Sequence, residues 1–473
     1  MTASLSRRGF LAASAATGAL AVLPAVARAA VPLGLTATSR VLDIDGRAAK
    51  VYGIANSTGG LGLTLNPGEP FRLSLTNGLD VETILHWHGQ IPPNVQDGVP
   101  GLPMPVLIPG EMRDYDYTPR PGTHWMHSHI PVQEMQLLAA PLIVRRPEEV
   151  SEDRQEVVMF LHDFSFTPPE EILAGLTGGM GGMDHAMHGM TGSEGGMDMS
   201  GVGTMDMGGM AMDLNDIAFD AYLANDRTLN DPDVVSVEVG GRVRLRVINA
   251  AAATVFWIDT GTVDARLVAV DGEPVQPLAG RRFGLAMAQR IDLLLDLPAA
   301  EGAFPVLALR EGAQERAGII LATAGAAIGK LPVLGQEVAP AFDLALESQL
   351  VALHPLLVRP ADQAPMVMLS GSMMPYQWAI SGPVTAKSGE RVEIMFHNMS
   401  MMGHPMHLHG HAFQVVNLNG RALAGAVRDT VYVPPMAMVT VAVDAGEAAR
   451  WMLHCHHMAH LAAGMMTEFQ VSA

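Results

Sequence analysis

Histidines recur in pairs separated by one residue, and these pairs stand near both ends of the chain. The four pairs are His86 with His88, His127 with His129, His407 with His409, and His454 with His456. Side chains two residues apart on a strand point to the same face, so each pair can present two imidazoles to an ion. Imidazole favours copper, zinc, iron and nickel. Eight imidazoles exceed the needs of one ion, and the pattern predicts a metal cluster.

Cys455 is the only cysteine among the 473 residues, and it stands between two of these histidines. A single cysteine excludes an internal disulfide and leaves an inert thiol, an intermolecular bridge or a metal ligand. On a strand, Cys455 points away from its two neighbours and towards a different pocket. The donors near it in sequence, or near the third pair, include His404, His460 and Met465. Two imidazoles, a thiolate and a distant thioether are the ligands of a blue-copper centre.

A repeat of 22 residues occurs three times in the chain. It spans 68–89, 240–261 and 389–410; each copy begins with Gly, has Asn nine positions later and ends on Gly twelve positions after that. The apolar and polar residues alternate as in β-strands. Copies one and three carry a histidine pair at the same offsets, where copy two has Ile258 and Thr260. We therefore predict an all-β fold of three consecutive β-sandwich domains from one ancestral unit, with ligands in the first and third.

The N-terminus has the pattern of an export signal. Arg7 and Arg8 form a twin-arginine pair, and an Ala-x-Ala pattern at 27–29 follows a short apolar run. We predict a twin-arginine (Tat-type) signal peptide at 1–29, use of the Tat export machinery and a periplasmic location. No later stretch is long and apolar enough to predict membrane insertion. The net charge of −19 argues against a nucleic-acid partner.

The motifs HWHG, HSH, HPMHLHGH and HCHHMAHLAAGM resemble the four copper motifs of the three-domain multicopper oxidases. The resemblance implies cupredoxin-like Greek-key domains at 36–147, 150–330 and 340–473, with the cluster between the first and third. It also implies four copper ions: one type 1, one type 2 and two type 3. By match, type 1 copper takes His404, Cys455, His460 and Met465; type 2 takes His86 and His407; the type 3 pair takes His88, His127, His129, His409, His454 and His456. The implied reaction is one-electron oxidation of a substrate at type 1 copper with four-electron reduction of O2 to water at the cluster.

Two acidic positions bear on the implied reaction. Asp97 resembles the family carboxylate that relays protons to the cluster, although Asp-Gly is also a turn signal. Many family members have an acid after the second type 1 histidine, where this chain has Leu461, so a second proton donor must come from elsewhere. The segment Arg428-Asp429-Thr430 is either a support of the type 1 site or a surface turn.

A Gly- and Met-rich insert at 178–212 contains ten methionines and two histidines. Thioethers select Cu(I), and the insert resembles the Met-rich segments of bacterial copper-resistance oxidases. The alternative is a Gly/Met linker that binds no metal. Our candidate ligands for substrate copper are Met180, Met183, His185, Met187, His188 and Met190 in the insert, with Met402 outside it. Met402 is otherwise a core residue, and Ser400 stands where related enzymes have an acid.

The interpretation that joins these features is a periplasmic, monomeric oxidase that oxidises Cu(I), and phenols as well, and protects the cell against copper. One alternative is a laccase acting mainly on phenols or aromatic amines. Another, from a different class, is a copper-sequestering carrier. The values of kcat/KM for Cu(I) and for a phenol separate the first two, and retention of the full ligand set disfavours a carrier without catalysis.

Overall fold

Short β-strands make up about half of the described chain and helices are few, which confirms the all-β prediction. The structure is a computed structural model that describes residues 33–178 and 214–473. The predicted signal peptide at 1–29 and the insert from 179 onward, with Met180, Met183, His185, Met187, His188 and Met190, lie outside the described residues. Residues 34–473 belong to one compact unit.

The first pair of sheets is formed by eight strands. They are β1 (Leu33–Ile44), β2 (Arg47–Asn56), β3 (Leu63–Leu65), β4 (Phe71–Asn77), β5 (Leu85–His86), β6 (Met112–Tyr117), β7 (Gly122–Ser128) and β8 (Ala139–Val144). The sheet orders are β2-β1-β4-β6 and β3-β8-β7-β5. In the second sheet His86 pairs with His127 across β5 and β7, so two of the His-x-His pairs lie side by side.

The second pair of sheets is formed by eleven strands. They are β9 (Gln155–Phe164), β10 (Ala221–Ala224), β11 (Asp233–Val237), β12 (Arg242–Asn249), β13 (Phe256–Asp259), β14 (Ala265–Val270), β15 (Glu273–Gly280), β16 (Arg282–Leu285), β17 (Arg290–Asp296), β18 (Ala303–Arg310) and β19 (Arg316–Thr323). The sheet orders are β10-β9-β12-β17-β14-β15 and β11-β19-β18-β13-β16. Ile258 and Thr260, at the offsets of the histidine pairs, are buried in this part of the chain.

The third pair of sheets is formed by twelve strands. They are β20 (Met366–Met373), β21 (Tyr376–Ile380), β22 (Val384–Lys387), β23 (Arg391–Asn398), β24 (His404–Leu408), β25 (Phe413–Leu418), β26 (Arg421–Ala422), β27 (Val427–Arg428), β28 (Thr430–Val433), β29 (Met438–Asp444), β30 (Arg450–Cys455) and β31 (Met466–Ser472). The sheet orders are β21-β20-β23-β29-β25-β26, with β27 on β25, and β22-β31-β30-β24-β28. The predicted domain limits of 36–147, 150–330 and 340–473 stay a prediction.

Helices are short and connect strands. They are α1 (Pro131–Glu134), α2 (Pro147–Ser151), α3 (Pro169–Thr177) and α4 (Met458–Ala462), with 3-10 turns at Asn94–Gln96 and Glu347–Gln349. Within 33–178 and 214–473, none of the helices has the length and apolar character needed to cross a membrane. Helix α1 follows the second His-x-His pair and α4 follows the fourth, so each holds residues close to the histidines.

The repeated asparagines have the same structural task in all three copies. Asn77, Asn249 and Asn398 each end a strand and are fully buried. Each Nδ2 group donates to at least two backbone carbonyls, such as those of Val81 and Leu107 for Asn77. Each Oδ1 accepts the backbone N–H two residues later. A buried backbone group without a partner is costly, so one side chain that satisfies three such groups explains why the residue recurs.

Candidate metal centre

The eight paired histidines converge between the first and third pairs of sheets. All eight are buried. The Nε2 atoms of His86 and His407 lie 3.4 Å apart, those of His129 and His409 lie 3.2 Å apart, and those of His127 and His456 lie 3.4 Å apart. Each of these contacts joins one histidine from each end of the chain. Several triplets, including His86-His88-His127 and His129-His409-His454, bring their candidate ligand atoms within 4.8 Å of one another.

Burial favours the neutral form of several of these imidazoles. Burial, together with the neighbouring histidines, holds the pKa of His88, His127 and His409 well below the usual range. Burial lowers the pKa of His454 to about 3. Metal ions bind the unprotonated imidazole. These four histidines can therefore coordinate a metal without first losing a proton.

Asp97 contacts one histidine of each terminal region. His86 Nδ1–H donates to the backbone carbonyl of Asp97 at 2.8 Å, and His409 Nδ1–H donates to its carboxylate Oδ2 at 2.8 Å. Both bonds hold the proton on Nδ1 and leave Nε2 free to face the cluster. The other carboxylate oxygen, Oδ1, lies 3.4 Å from His86 Nδ1 and has no hydrogen-bond partner in the described part of the chain.

Glu134, which sequence reasoning missed, is placed in the same way by α1. Its Oε2 lies 2.7 Å from His127 Nδ1, and its Oε1 lies 3.6 Å from His456 Nδ1. Glu134 is buried, and burial raises its pKa well above the usual range. The only sequence signal was an acid five residues after His129, and that spacing does not distinguish a ligand support from an ordinary helix residue.

Asp429 is buried and lies at the histidine cluster, so neither of the two alternatives for this segment, a support of the type 1 site or a surface turn, is correct. Its Oδ1 accepts a hydrogen bond from His88 Nε2–H at 3.0 Å, and its backbone carbonyl accepts His407 Nδ1–H at 2.8 Å. Arg290 of the second pair of sheets donates to both carboxylate oxygens, at 2.7 and 2.6 Å. Burial would raise the pKa of Asp429, but Arg290 lowers it to about 2.

His88 differs from its neighbours in the nitrogen that it offers. Because its Nε2 is bonded to Asp429, its Nδ1 faces inward, and this buried atom has no hydrogen-bond partner among the described residues. A buried polar atom without a partner is rare in native proteins. The donor set fits a metal cluster. A metal ion would satisfy His88 Nδ1, and it would also lie between the Nε2 atoms that face each other without a proton between them.

His404, Cys455 and His460 form a second, separate group. The Cys455 Sγ lies 3.7 Å from Nδ1 of His404 and 3.7 Å from Nδ1 of His460, and these two nitrogens are 3.2 Å apart. The Nε2–H of His404 donates to Ser400 Oγ at 2.8 Å, and Nε2 of His460 lies 3.4 Å from Asp216 Oδ2. The sulfur and the two Nδ1 atoms thus lie within 3.7 Å of one another, as the ligand atoms around one ion in a trigonal His2Cys copper site do.

Burial also sets the protonation of this group. It lowers the pKa of His460 to about 3 and raises the pKa of the Cys455 thiol well above the usual range. Without a metal the site therefore holds a thiol and two neutral imidazoles, and binding a cation displaces the thiol proton. Met465 is fully buried, its N–H donates to the carbonyl of His460, and its carbonyl accepts Cys455 N–H. These bonds keep the thioether-bearing residue beside the group.

Strand β30 explains the position of the single cysteine. Cys455 faces His404 and His460, while His454 contacts His409 at 3.1 Å and His456 contacts His127 at 3.4 Å. The alternation of side chains on the strand therefore connects two donor groups through adjacent residues. The sequence prediction that Cys455 serves a different pocket from its neighbours agrees with this geometry.

The remaining candidates have other surroundings. Met402 is half-buried and packs against the core of the third pair of sheets. His411 donates to the carbonyl of His409 and accepts Gly446 N–H, so both of its nitrogens are satisfied within the fold. His354 is exposed. Leu461 is buried, and the nearest acid to His460 is Asp216 of the second region, which the sequence did not indicate.

Comparison with known proteins supports the same grouping. Three multicopper oxidase family models match residues 36–149, 198–326 and 358–473. The chain is 30% identical to the multicopper oxidase MmcO of Mycobacterium tuberculosis, over 98% of this chain and 96% of that protein. It is 25% identical to a copper resistance protein A homolog of Pseudomonas syringae pv. tomato, over 92% of each.

Solved structures show the same fold. The multicopper oxidase Fet3p, described as functioning in iron import, superimposes with a TM-score of 0.74 at 17% identity, over 93% of this chain and 90% of that one. These matches and the histidine groups lead to one conclusion. The chain belongs to the multicopper oxidase family: it is a copper-dependent oxidoreductase built from three cupredoxin-like domains.

Proposed function

We propose that this multicopper oxidase is a periplasmic copper-protective enzyme that oxidises Cu(I), and also phenols, with O2 as electron acceptor. One observation carries the proposal. The sulfur of Cys455 faces two imidazoles on one side of β30, and its two neighbours face the histidine cluster on the other. The peptide links from Cys455 to His454 and His456 are thus a short covalent path between a one-electron site and a multi-metal site.

The proposed ligands follow from the two donor groups. Type 1 copper takes His404, Cys455 and His460, with Met465 as the axial ligand. In the cluster, type 2 copper takes His86 and His407, and the type 3 pair takes His88, His127, His129, His409, His454 and His456. When bound, the four coppers supply one-electron acceptance from the substrate and the four-electron reduction of O2 to two waters.

The surrounding residues orient these ligands and exclude water. Asp97 and Glu134 hold histidines from the two ends of the chain in the tautomer that presents Nε2. Asp97 is also our proposed proton relay, since O2 reduction consumes four protons and its Oδ1 is free of hydrogen bonds within the described residues. Complete burial of the histidines keeps bulk water from the cluster.

The substrate assignment rests on the insert and on the residues that flank it. Ten methionines in 178–212 form a soft donor set of the kind that selects Cu(I). Before the insert, Leu173 and Leu176 of α3 pack against the hydrophobic core that contains Cys455. After it, Asp216 lies 3.4 Å from His460. Several similar proteins are named copper resistance protein A, which favours a protective role.

Localisation and assembly belong to the same proposal. The twin-arginine pair and the Ala-x-Ala pattern support export to the periplasm through the Tat machinery with removal of 1–29. Periplasmic Cu(I) is then within reach of the enzyme. A single chain contains both donor groups, so a monomer suffices for the activity.

The test is copper stoichiometry, visible and EPR spectra, and O2 uptake on Cu(I), measured on purified copper-loaded protein. We expect four or more coppers, an intense thiolate-to-Cu(II) band and O2 consumption driven by Cu(I). Deletion of 178–212 should lower Cu(I) oxidation or raise copper sensitivity of the host. No change in either would refute a role for the insert.

Two other outcomes would replace the proposal. Full copper loading with phenol turnover and no Cu(I) activity would favour a laccase; some similar proteins, such as Laccase-1 of Botryotinia fuckeliana at 23% identity, carry that name. Copper bound only by the insert, without the thiolate band, would favour a carrier. A Cys455→Ser variant is the control, because it removes the sulfur and leaves the insert intact.

A further inference from the structure

One face of the third pair of sheets carries an imidazole between two thioethers. Strands β20, β23 and β29 are neighbours in one sheet. Met368 of β20 is paired with His397 of β23, and His397 is paired with Met438 of β29. Side chains directly opposite one another on adjacent strands share a face of the sheet and lie side by side. These three residues therefore form one row across the sheet, called the Met-His row below.

The Met-His row points away from the type 1 donor group. The residues that alternate with it along the three strands are buried in the hydrophobic core that also contains Cys455: Val367, Phe396 and Val439. Because successive side chains on a strand point to opposite faces, the row lies on the outer face. Met368 is 40% exposed, and the other two members are half-buried. The sheet itself thus separates the row from the thiolate of the type 1 group.

More thioethers border the Met-His row on this outer face. Met366 and Met395 form the adjoining pair on β20 and β23. At the other side of the row, Met399 follows β23 and Met436 precedes β29, and both are exposed. Strands ordinarily favour β-branched and aromatic residues. Because these methionines face away from the core, packing of the interior does not explain them.

The imidazole in the middle of the row is available to a ligand. Among the residues that the structure describes, none forms a hydrogen bond or an ion pair with the ring of His397. The strands on either side of the row contribute uncharged neighbours, since Ser381 N–H donates to the carbonyl of Met368 and Asn419 N–H donates to that of Met438. The first acid on this face of β23 is Glu393, four residues from His397.

This donor set suits a soft monovalent ion. Thioethers select Cu(I), whereas hard cations take oxygen ligands and zinc sites use several thiolates, imidazoles or carboxylates. The row offers one imidazole and no anion. Adjacent strands are about 4.8 Å apart, and methionine side chains are unbranched and adaptable. Both thioethers can therefore reach an ion that is bound to the imidazole between them.

We propose that the Met-His row is a surface site that binds Cu(I) through the imidazole of His397 and the thioethers of Met368 and Met438. The ion lies outside both donor groups, so its binding requires neither type 1 copper nor turnover. It keeps its single positive charge, because only ligand bonds form. The inference goes beyond the proposed oxidase function: it gives the protein a place to retain Cu(I) that is distinct from the place where electrons are removed.

The test uses Ag(I), which has the charge and softness of Cu(I) and is not oxidised by the enzyme. The full-length, copper-loaded protein is treated with tert-butyl hydroperoxide, which converts exposed methionine to its sulfoxide, with and without Ag(I). Peptide mass spectrometry gives the oxidation rate of Met368 and Met438 separately from that of the insert. Met112, an exposed methionine of β6, is the internal reference.

A bound ion should protect the sulfurs that it contacts. At free Ag(I) of about ten times the dissociation constant, roughly one site in ten is empty, so oxidation of Met368 and Met438 should slow about tenfold. The rate at Met112 should not change. His397→Phe should abolish the protection. His354→Phe, which changes an exposed histidine in a segment bonded to the second region, is the matched control and should protect as the parent does.

Three outcomes would overturn the site. They are no slowing at Met368 and Met438, equal slowing at Met112, and full protection in His397→Phe. If His397→Phe loses the thiolate band and so the fold, Met368→Leu decides, because it keeps the volume and removes one sulfur. Loss of protection at Met438 in that variant supports the site, and protection equal to the parent overturns it. O2 uptake with Cu(I) is measured in parallel, and its absence would count against the proposed oxidase function alone.

Discussion

The two donor groups of this enzyme are assembled in opposite ways. His404, Cys455 and His460 come from one pair of sheets and from 57 residues of chain. The Nε2 atoms of the two histidines lie beside Ser400 and Asp216. The eight-histidine cluster takes half of its members from each end of the chain. Three buried carboxylates surround it: Asp97, Glu134 and Asp429.

The carboxylates show what an interface between domains needs beyond ligands. Each is near one histidine of the first region and one of the third: Asp97 near His86 and His409, Glu134 near His127 and His456, and Asp429 near His88 and His407. Such supports fix the orientation and tautomer of a ligand. At an interface they also fix one domain against the other. The three donors of the type 1 group come from one region, and Asp216 beside His460 is the support that comes from another.

The largest effect is expected from Cys455→Ser, which should remove one donor group and leave the other intact. Cys455→Ser should abolish the thiolate band and reduce O2 uptake with any reducing substrate to the level of buffer, since the sulfur is the only soft anionic donor of the type 1 group. The cluster histidines do not contact this sulfur, so the EPR signal of type 2 copper should persist. Loss of both signals would show that the two groups do not load independently.

Asp429→Asn should destabilise the interface more than any change at the type 1 supports. It leaves Arg290, which is fully buried, without its closest anionic partner. Breaking a buried ion pair in this way costs about 3–5 kcal/mol, measured as the free energy of unfolding. Arg450→Gln, which breaks an exposed pair with Glu468, is the control and should change the free energy of unfolding far less.

The double variant Arg290→Gln/Asp429→Asn sharpens the same prediction. It leaves no unpaired charge and should recover part of the lost stability. In both the single and the double variant the copper content should be lower than in the parent, because His88 lacks its anionic acceptor. Equal stability of the single and double variants would exclude the ion pair as the cause.

Acid should destabilise the fold through His162, a buried histidine outside the two donor groups. The histidines that bind copper should not contribute while copper is bound. Burial lowers the pKa of His162 to about 4, and its Nδ1–H donates to the carbonyl of Ala250. The pKa of His162 in the folded protein lies below its value of about 6.5 in the unfolded chain. The stability that depends on the neutral His162 ring is therefore complete above pH 6.5 and is lost as pH falls towards 4. The loss is on the order of 3 kcal/mol.

The measurement is the fall in unfolding free energy between pH 7 and pH 4 for the copper-loaded parent and for His162→Gln. The variant should lose less. An equal fall in both proteins would mean that His162 is not the group that takes up the proton. Ligand histidines should contribute only where copper is released.

The smallest effect is expected at Glu134, where shape and charge can be separated. Glu134→Leu removes the carboxylate beside His127 Nδ1, which then keeps only the backbone carbonyl of Ser128, and should weaken copper retention by the cluster about 10- to 100-fold, with the thiolate band unchanged. Glu134→Gln keeps an acceptor of the same shape and should lose less. Copper content after dialysis against a chelator measures both. Equal losses would show that the residue only fills space.

The two donor groups were visible in the sequence because the spacing of their members is local. Two His-x-His pairs at one offset in the repeat, and Cys455 between two histidines, follow from the two-residue period of a strand. The supports were not visible, because the contacts of Glu134 with His456 and of Asp429 with His88 join residues more than 300 positions apart. For the same reason neither alternative for Asp429, a type 1 support or a surface turn, matched its place at the cluster. No local pattern tells which side of an interface a loop will meet.

The distance along the chain between the partners of the cluster sets an order of events in time. His86 and His407 lie 321 residues apart, and synthesis at roughly 5–20 residues per second separates them by on the order of 15–60 seconds. Throughout that interval the first domain holds four histidines and two carboxylates without their partners. The final strand, β31, ends at Ser472 and pairs with β30, which carries His454 and Cys455. The eight histidines are therefore complete only once the chain has reached His456, and we expect no cluster copper to be retained before that point.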